Sequence, residues 1–297
     1  MGLTSYILWN DYQNLPSFDS INRISLLGVL TFYLIYLVIV SYRTLLILNE
    51  LNNKDLKYTD WFKLNIKGRF INKLVPQGGN IYKGVILKKS LDLSYNKYIA
   101  YLGIFSWIDI MLNLLVCLIL LILLDSDLAL MGYKLKSIVF YLLLLIILVP
   151  FIFKQLVKNF KPNKIFDKLK IIAKENVIDI FKNLTLSNLT KVIFAGILSI
   201  FVQVGIYYYT FDFLNLYPDI DKILLYVSFI RISSIIQITP GNIGFQELLL
   251  GTLTELTGGT ILVGVTVSLI IRLLTNITLG ILSVIFNIKS MQINSKI

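Results

Sequence analysis

The sequence predicts an all-α polytopic membrane protein with about six spanning helices and two broken or re-entrant segments that resemble repeats. Three observations predict it. The 297 residues are 56% hydrophobic with a mean hydropathy of +0.76, above the roughly 45–50% apolar share of soluble domains. Several apolar runs reach the ~20 residues that cross a bilayer. One of them, residues 110–124, is apolar on nearly every face and not along one stripe, which excludes a soluble helical bundle.

Residues 1–20 have no basic stretch followed by an apolar run, so no cleavable signal is expected. Residues 1–23 read as an extracytoplasmic N-terminal segment. Spans are expected at 24–48, 98–124, 137–153, 192–211, 222–238 and 259–286. The 137–153 run is barely long enough, and its flank from Lys154 onward can snorkel to complete it. Residues 287–297 form a short tail. The chain thus reads as one domain, 1–297, with its membrane part at 24–286.

Charge sets the orientation. Loop 49–97 carries Lys54, Lys57, Lys63, Lys67, Arg69, Lys73, Lys83, Lys88, Lys89 and Lys97. Loop 154–191 carries Lys154, Lys158, Lys161, Lys164, Lys168, Lys170, Lys174, Lys182 and Lys191. Loop 125–136 is mixed, and loop 212–221 is acidic, with Asp212, Asp219 and Asp221. Because cytoplasmic loops accumulate Lys and Arg, the two basic loops are expected in the cytoplasm and the other two outside. No nucleic-acid-binding motif accompanies the basic loops, so no nucleic-acid partner is expected. Attraction to anionic lipid head groups is their natural secondary effect.

Loop 49–97 is long for a connector. Asp60–Lys67 reads as interfacial, with Trp61 as an aromatic anchor among lysines. A break follows at Pro76-Gln77-Gly78-Gly79, then a semi-apolar run too short to span. A second break, Pro240-Gly241-Asn242-Ile243-Gly244, follows the apolar run that carries Arg231. Lipid does not tolerate open backbone, so such a break packs in protein or lines a wet cavity. Paired breaks in the two halves of a chain point to a transporter site where the repeats meet. Read alone, Pro76–Gly79 is equally a surface turn.

The residue inventory excludes several chemistries. There is no His and a single Cys, Cys117, which reads as inert packing. The usual zinc and iron ligand sets and a Ser-His-Asp triad therefore cannot form, and no metal or cofactor is expected. The candidate residues are intramembrane charges. Arg231 and Arg272 are suited to bidentate contacts with phosphate. Glu247 is suited to pair with an Arg or a cationic head group. Backbone N–H groups at Gly241 and Gly244, just before an expected helix, suit an anion. Asn276 and Thr275 lie on the face of Arg272, and Asp109 is a further intramembrane carboxylate. Arg231 with Glu247 reads equally as a structural pair, and Asp109 with Asn113 as a packing contact. Tyr207-Tyr208-Tyr209 reads as an interfacial belt.

These motifs resemble the flippase-like transmembrane domain of the lysylphosphatidylglycerol synthase family, from about Arg43 to the last helix. Tyr42-Arg43-Thr44 keeps the family's early Arg without its Trp. Asn72-Lys73-Leu74-Val75-Pro76-Gln77-Gly78-Gly79 and Lys83 are similar to its Asn-x-x-x-Pro-x-x-x-Gly stretch and following basic residue. Asp109 remains of a Glu-Arg-x-x-Asp stretch. Arg231, Pro240 to Glu247 with Asn242 in place of Gly, and Arg272 carry the most specific likeness. The family's first helix is shortened or missing before residue 24. The resemblance implies a membrane domain that moves, or helps to move, a lipid or polyprenyl-linked glycolipid in the envelope of a prokaryotic plasma membrane. It also implies a homodimer or an envelope-biosynthesis enzyme as partner. The sequence ends at Ile297, directly after the last helix, so the soluble aminoacyl-transfer activity of some relatives is not expected, nor is enzyme activity. The expected substrate-binding set is Arg231, Pro240, Gly241, Gly244, Glu247, Arg272, Asn276, Asp109, Pro76, Gly79 and Lys83. A non-transporting scaffold of a glycosyltransferase complex is the alternative. An intramembrane transferase using Glu247 or Asp109 as base is a third reading.

Overall fold

The structure, a computed structural model, describes residues 22–50, 56–123, 127, 129–130, 132–159, 185–235 and 239–287. The expected N-terminal segment, most of loop 154–191 and the tail beyond 287 lie outside these residues. Nine α-helices occur among the described residues: α1 (Arg23–Asn49), α2 (Tyr58–Leu74), α3 (Gly78–Leu91), α4 (Tyr95–Leu123), α5 (Leu135–Asn159), α6 (Leu186–Phe213), α7 (Ile220–Ile235), α8 (Phe245–Leu256) and α9 (Ile261–Asn287). A short antiparallel pair, β1 (Ala129–Leu130) and β2 (Tyr133–Lys134), closes the turn after α4.

Among the described residues, four helices, α1, α4, α6 and α9, are long and apolar enough to cross a membrane. The expected span 222–238 is described only to residue 235. Helix α7 has 16 residues, about 24 Å of rise against a hydrocarbon core of about 30 Å. Beyond the break the chain reverses into α8, only 12 residues long. The expected span 137–153 lies inside α5, whose apolar part Leu135–Leu148 falls short of the four. Its full 25 residues rise about 37 Å, and α5 returns the chain between the far end of α4 and the near end of α6.

The polarity of the fold is inverted relative to a soluble protein. Ile24, Leu27 and Val38 of α1, Tyr141 and Leu145 of α5, and Leu273, Ile281 and Val284 of α9 are exposed. Arg43, Asn65, Lys83, Asn113, Arg231 and Glu247 are buried. Charged groups that face inward while Leu and Ile face outward is the distribution a lipid solvent selects.

Helices α1 and α6 run antiparallel through the centre. At one end, Asn22 Nδ2 and Ser25 Oγ donate to Asp212 Oδ2, the former at 3.2 Å. At the other, Asn188 Nδ2 donates to Glu50. The two backbones approach through reciprocal glycines. A Cβ at Gly28 would stand 2.7 Å from the Tyr209 ring, and one at Gly205 would stand 2.3 Å from the Phe32 ring. Small residues at such crossings let membrane helices pack where no hydrophobic effect drives them together.

Two helical hairpins fill the remaining volume. In the first, α2 turns into α3 at Val75–Gln77, with Gln77 in the left-handed region at φ 57°. Gly79 is required there, because a Cβ would lie 1.7 Å from the Gly68 carbonyl oxygen. Asn72 Oδ1 accepts from the Gly79 N–H at 2.6 Å. The Gly79 end of the break is thus packed against α2, while Leu74 and Val75 stay exposed at the turn. In the second hairpin, α7 and α8 flank a 3-10 turn at Pro240–Asn242, with Gly241 and Asn242 at φ 55° and Gly244 at φ 86°.

Side-chain contacts fix the depth of both turns. The Phe62 ring meets Phe286 near the end of α9, with centroids 5.8 Å apart. Phe70 lies against Gly280. Lys73 and Arg272 both lie against Gly241. Helix α2 therefore enters beside the C-terminal end of α9 and turns near its middle. From the opposite side, the Tyr226 hydroxyl reaches Thr257 Oγ1 at 2.5 Å. Further in, Arg231 reaches Asp109 near the middle of α4. The packing interchanges between halves: α2 lies on α9 and α7 on α4, while α3 lies on α4 and α8 on α9. This is the arrangement expected of inverted repeats.

Two aromatic assignments are corrected. Trp61 is fully buried and donates its indole N–H to the Ser41 carbonyl at 3.0 Å and to Thr44 Oγ1 at 2.9 Å. It anchors α2 on α1, not on the membrane surface. Tyr207 is buried, whereas its neighbour Tyr208 is 40% exposed; only part of the tyrosine run can face an interface.

The fold gathers Glu50, Lys97 and Phe286 on one side and Asn22, Asp212 and Tyr217 on the other. With Lys and Arg favouring the cytoplasm, the first side is expected inside. On a Cys117→Ala background, Tyr217→Cys (68% exposed) should react with an impermeant thiol reagent in intact cells. Lys97→Cys should react only after permeabilisation, and the reverse pattern refutes the orientation.

Candidate functional site

Three buried charge centres occupy the space where the hairpins meet. The first is built on Asp109 of α4. Its Oδ1 accepts from Arg43 Nη1 of α1 and from Arg231 Nη2 of α7, the latter at 2.7 Å. Arg231 Nη1 also donates to Gln203 Oε1 at 2.9 Å, and Nη2 to Ser199 Oγ at 3.3 Å. Arg43 is fully buried and lies 4.9 Å from the Phe105 ring centroid. A Cβ at Gly196 would stand 3.1 Å from its Cζ, so the guanidinium fits against bare α6 backbone. Asp109 thereby joins α1, α4 and α7, and Arg231 extends the network to α6.

The second centre is built on Glu247 in the first turn of α8. Its Oε2 accepts from the Gly244 N–H at 2.8 Å and its Oε1 from Arg272 Nε. Arg272 Nη1 donates to the Gly241 carbonyl at 2.7 Å and Nη2 to the Asn242 carbonyl at 3.2 Å. An Arg thus satisfies the carbonyls that the left-handed turn exposes, and a Glu satisfies an N–H at the helix start. Asn242 Nδ2 donates to the Ser233 carbonyl at 3.2 Å, which ties this turn to the end of α7, two residues beyond Arg231.

The third centre lies in the first hairpin. Lys83 of α3 is buried, 8% exposed, and its Nζ reaches Asn65 Oδ1 at 3.4 Å and stands 5.9 Å from the Trp61 ring centroid. Asn65 Nδ2 donates in turn to Ser41 Oγ at 2.9 Å. Arg69 places its guanidinium 5.6 Å from the Tyr36 ring centroid.

Several expectations are corrected by this geometry. Arg231 pairs with Asp109, and Glu247 with Arg272, so Arg231 and Glu247 are not partners. Arg231 with Asp109 and Glu247 with Arg272 form two centres linked through Asn242 and Ser233. Asn113 donates to the Ser228 carbonyl at 3.1 Å and not to Asp109. At the start of α8, Glu247 takes the Gly244 N–H and the turn directs the Gly241 and Asn242 carbonyls at Arg272. Asn276 Oδ1 is buried without a hydrogen-bond partner. Thr275 Oγ1 donates to the Arg272 carbonyl at 3.1 Å. Pro76 and Gly79 shape the first turn.

Arg69, Lys73, Gln203 and Ser199 were not among the expected site residues. A signal existed for the first two, which lie seven and three residues before Pro76, as Arg231 lies nine before Pro240. The spacing from Pro76 to Lys83 also equals that from Pro240 to Glu247, seven residues in each case. Gln203 and Ser199 carry no such mark.

Half-helix hairpins that enter from opposite sides and meet over buried charge define a multi-pass membrane protein of inverted-repeat architecture. The family model for the lysylphosphatidylglycerol synthase TM region matches residues 13–283, and the chain belongs to that family. No curated protein matches the chain, and no solved structure does.

Proposed function

We propose that the protein moves the head group of a membrane lipid or glycolipid between leaflets during lipid or cell-envelope synthesis, without making or breaking a covalent bond. The observation that carries this is the meeting of two half-crossing hairpins over buried Asp109–Arg231 and Glu247–Arg272 at the middle of α4 and α9. A head group resists the bilayer because its charge and hydrogen-bonding groups lose water there. A polar centre at mid-depth offers replacements, while the acyl tails stay in lipid. The tips of both turns suit this division. Leu74 and Val75 are 61% and 54% exposed beside Lys73, and Phe245 is 40% exposed two residues from Glu247. Tails therefore have an apolar surface next to the charges. The two-half design also supplies a means of alternation, since one hairpin can open as the other closes.

Reconstitution of the purified chain into liposomes carrying a fluorescent lipid in both leaflets tests the reading. The expected result is accelerated exposure of inner-leaflet probe to an external quencher. A protein that only scaffolds an envelope enzyme would move no lipid.

A further inference from the structure

Resting on that reading, we infer that the head group carried is anionic and phosphate-bearing, and that Arg69, Lys73 and Lys83 of the first hairpin hold its phosphate together with Arg272. The charge balance leads here. Asp109 neutralises one of Arg43 and Arg231, and Glu247 neutralises Arg272. Among the described residues, no carboxylate forms an ion pair with Arg69, Lys73 or Lys83. The three nevertheless share one space. Arg69 and Lys73 stand one turn apart on α2; Lys73 lies in the field of Arg272, Arg69 and the carboxylate of Glu247, and Lys83 in that of Arg69. A Cβ at Gly241 would stand 3.1 Å from Lys73 Cδ and 3.4 Å from Arg272 Nη1, so these cations flank the same bare backbone. A Cβ at Gly68 would stand 2.9 Å from Lys83 Cδ.

Their donors are also underused. An ammonium carries three donors, and Lys83 has one acceptor, Asn65 Oδ1, at 3.4 Å. Arg69 Nε is buried without a partner. Like charges at mid-depth are costly unless an ammonium gives up its proton or an anionic ligand neutralises them. A phosphate does so with several acceptor oxygens, and guanidinium and ammonium groups are its usual partners. A cationic head group would add to the repulsion. The exposed Leu74 and Val75 beside Lys73 place an apolar surface at the phosphate position, which favours a lipid phosphate over a free anion.

Thermal unfolding of the full chain in detergent, with short-chain phosphatidic acid, short-chain phosphatidylcholine of the same tails, or inorganic diphosphate, tests the assignment. Phosphatidic acid should raise the midpoint, as any ligand of the folded state does, and phosphatidylcholine and diphosphate should do so far less. Lys73→Gln should weaken the phosphatidic acid effect by about tenfold in apparent affinity, the loss of one charge-assisted contact. Lys73→Arg should retain it, and Lys83→Gln should reproduce the loss. Equal stabilisation by phosphatidic acid and phosphatidylcholine, or indifference to both glutamine changes, overturns the proposal. Diphosphate acting as well as phosphatidic acid would show a free-anion site and overturn the lipid assignment. Binding is read here without movement, so failure of the liposome assay alone sinks the translocation reading and not this one.

Discussion

Asp109→Asn is expected to destabilise the protein more than any other single substitution among the charged residues. Its carboxylate is the counter-ion of both Arg43 and Arg231, 0% and 5% exposed. Removing one partner of a buried pair costs about 3–5 kcal/mol, because the remaining charge stays buried and uncompensated. Here two guanidiniums are orphaned at once. Asparagine can keep one carbonyl oxygen where Oδ1 accepts from both arginines, but it carries no charge to compensate either guanidinium. The measurement is thermal unfolding in detergent, read beside the yield of membrane-inserted protein. Adding Arg231→Gln should recover part of the loss, since Arg43 keeps its contact with Phe105 while the second orphaned charge disappears. If Asp109→Asn unfolds at the wild-type temperature, the hub does not hold α1, α4 and α7 together.

Much of this was legible in the sequence, for identifiable reasons. The apolar runs of α1, α4, α6 and α9 exceed what any soluble fold needs, so the spans announce themselves. The Pro-Gly breaks and the charges beside them, Arg231, Glu247 and Arg272, stand out because lipid forbids both without a cause. The pairing did not follow from the sequence. Arg231 finds Asp109 at a separation of 122 residues, and nothing in the local pattern of either helix selects that partner over Glu247. The fifth expected span was a matter of composition. Residues 222–238 are apolar enough to cross, but the left-handed turn at Gly241 and Asn242 reverses the chain at half depth. The first hairpin was obscured for the opposite reason. Its lysines make 58–91 read as a solvated loop, although Trp61, Asn65 and Lys83 form a buried contact between α1, α2 and α3. Hydropathy registers residue type, and the inward face of a half-crossing helix is polar when it borders a site.

Glu247→Gln is expected to separate structure from transport at the second centre. The carboxylate has two tasks, accepting the Gly244 N–H with one oxygen and Arg272 Nε with the other. Glutamine offers one acceptor, so either the start of α8 or Arg272 loses its partner. Glu247 is 1% exposed and the Arg272 side chain 11%, so water compensates little, and a loss of about 3 kcal/mol is expected by the same buried-pair argument. Arg272 retains the Gly241 and Asn242 carbonyls, which keeps the turn assembled and the protein folded at moderate temperature. The rescue partner is Arg272, not Arg231. Glu247→Gln with Arg272→Gln removes the orphaned charge and should raise the unfolding midpoint above that of Glu247→Gln alone. Lipid movement should not return with it, because the double variant lacks both the cation that meets the head group and the carboxylate that releases it. Recovery of stability together with wild-type movement would mean that Glu247 and Arg272 only brace the turn, and the second centre would then have no part in translocation.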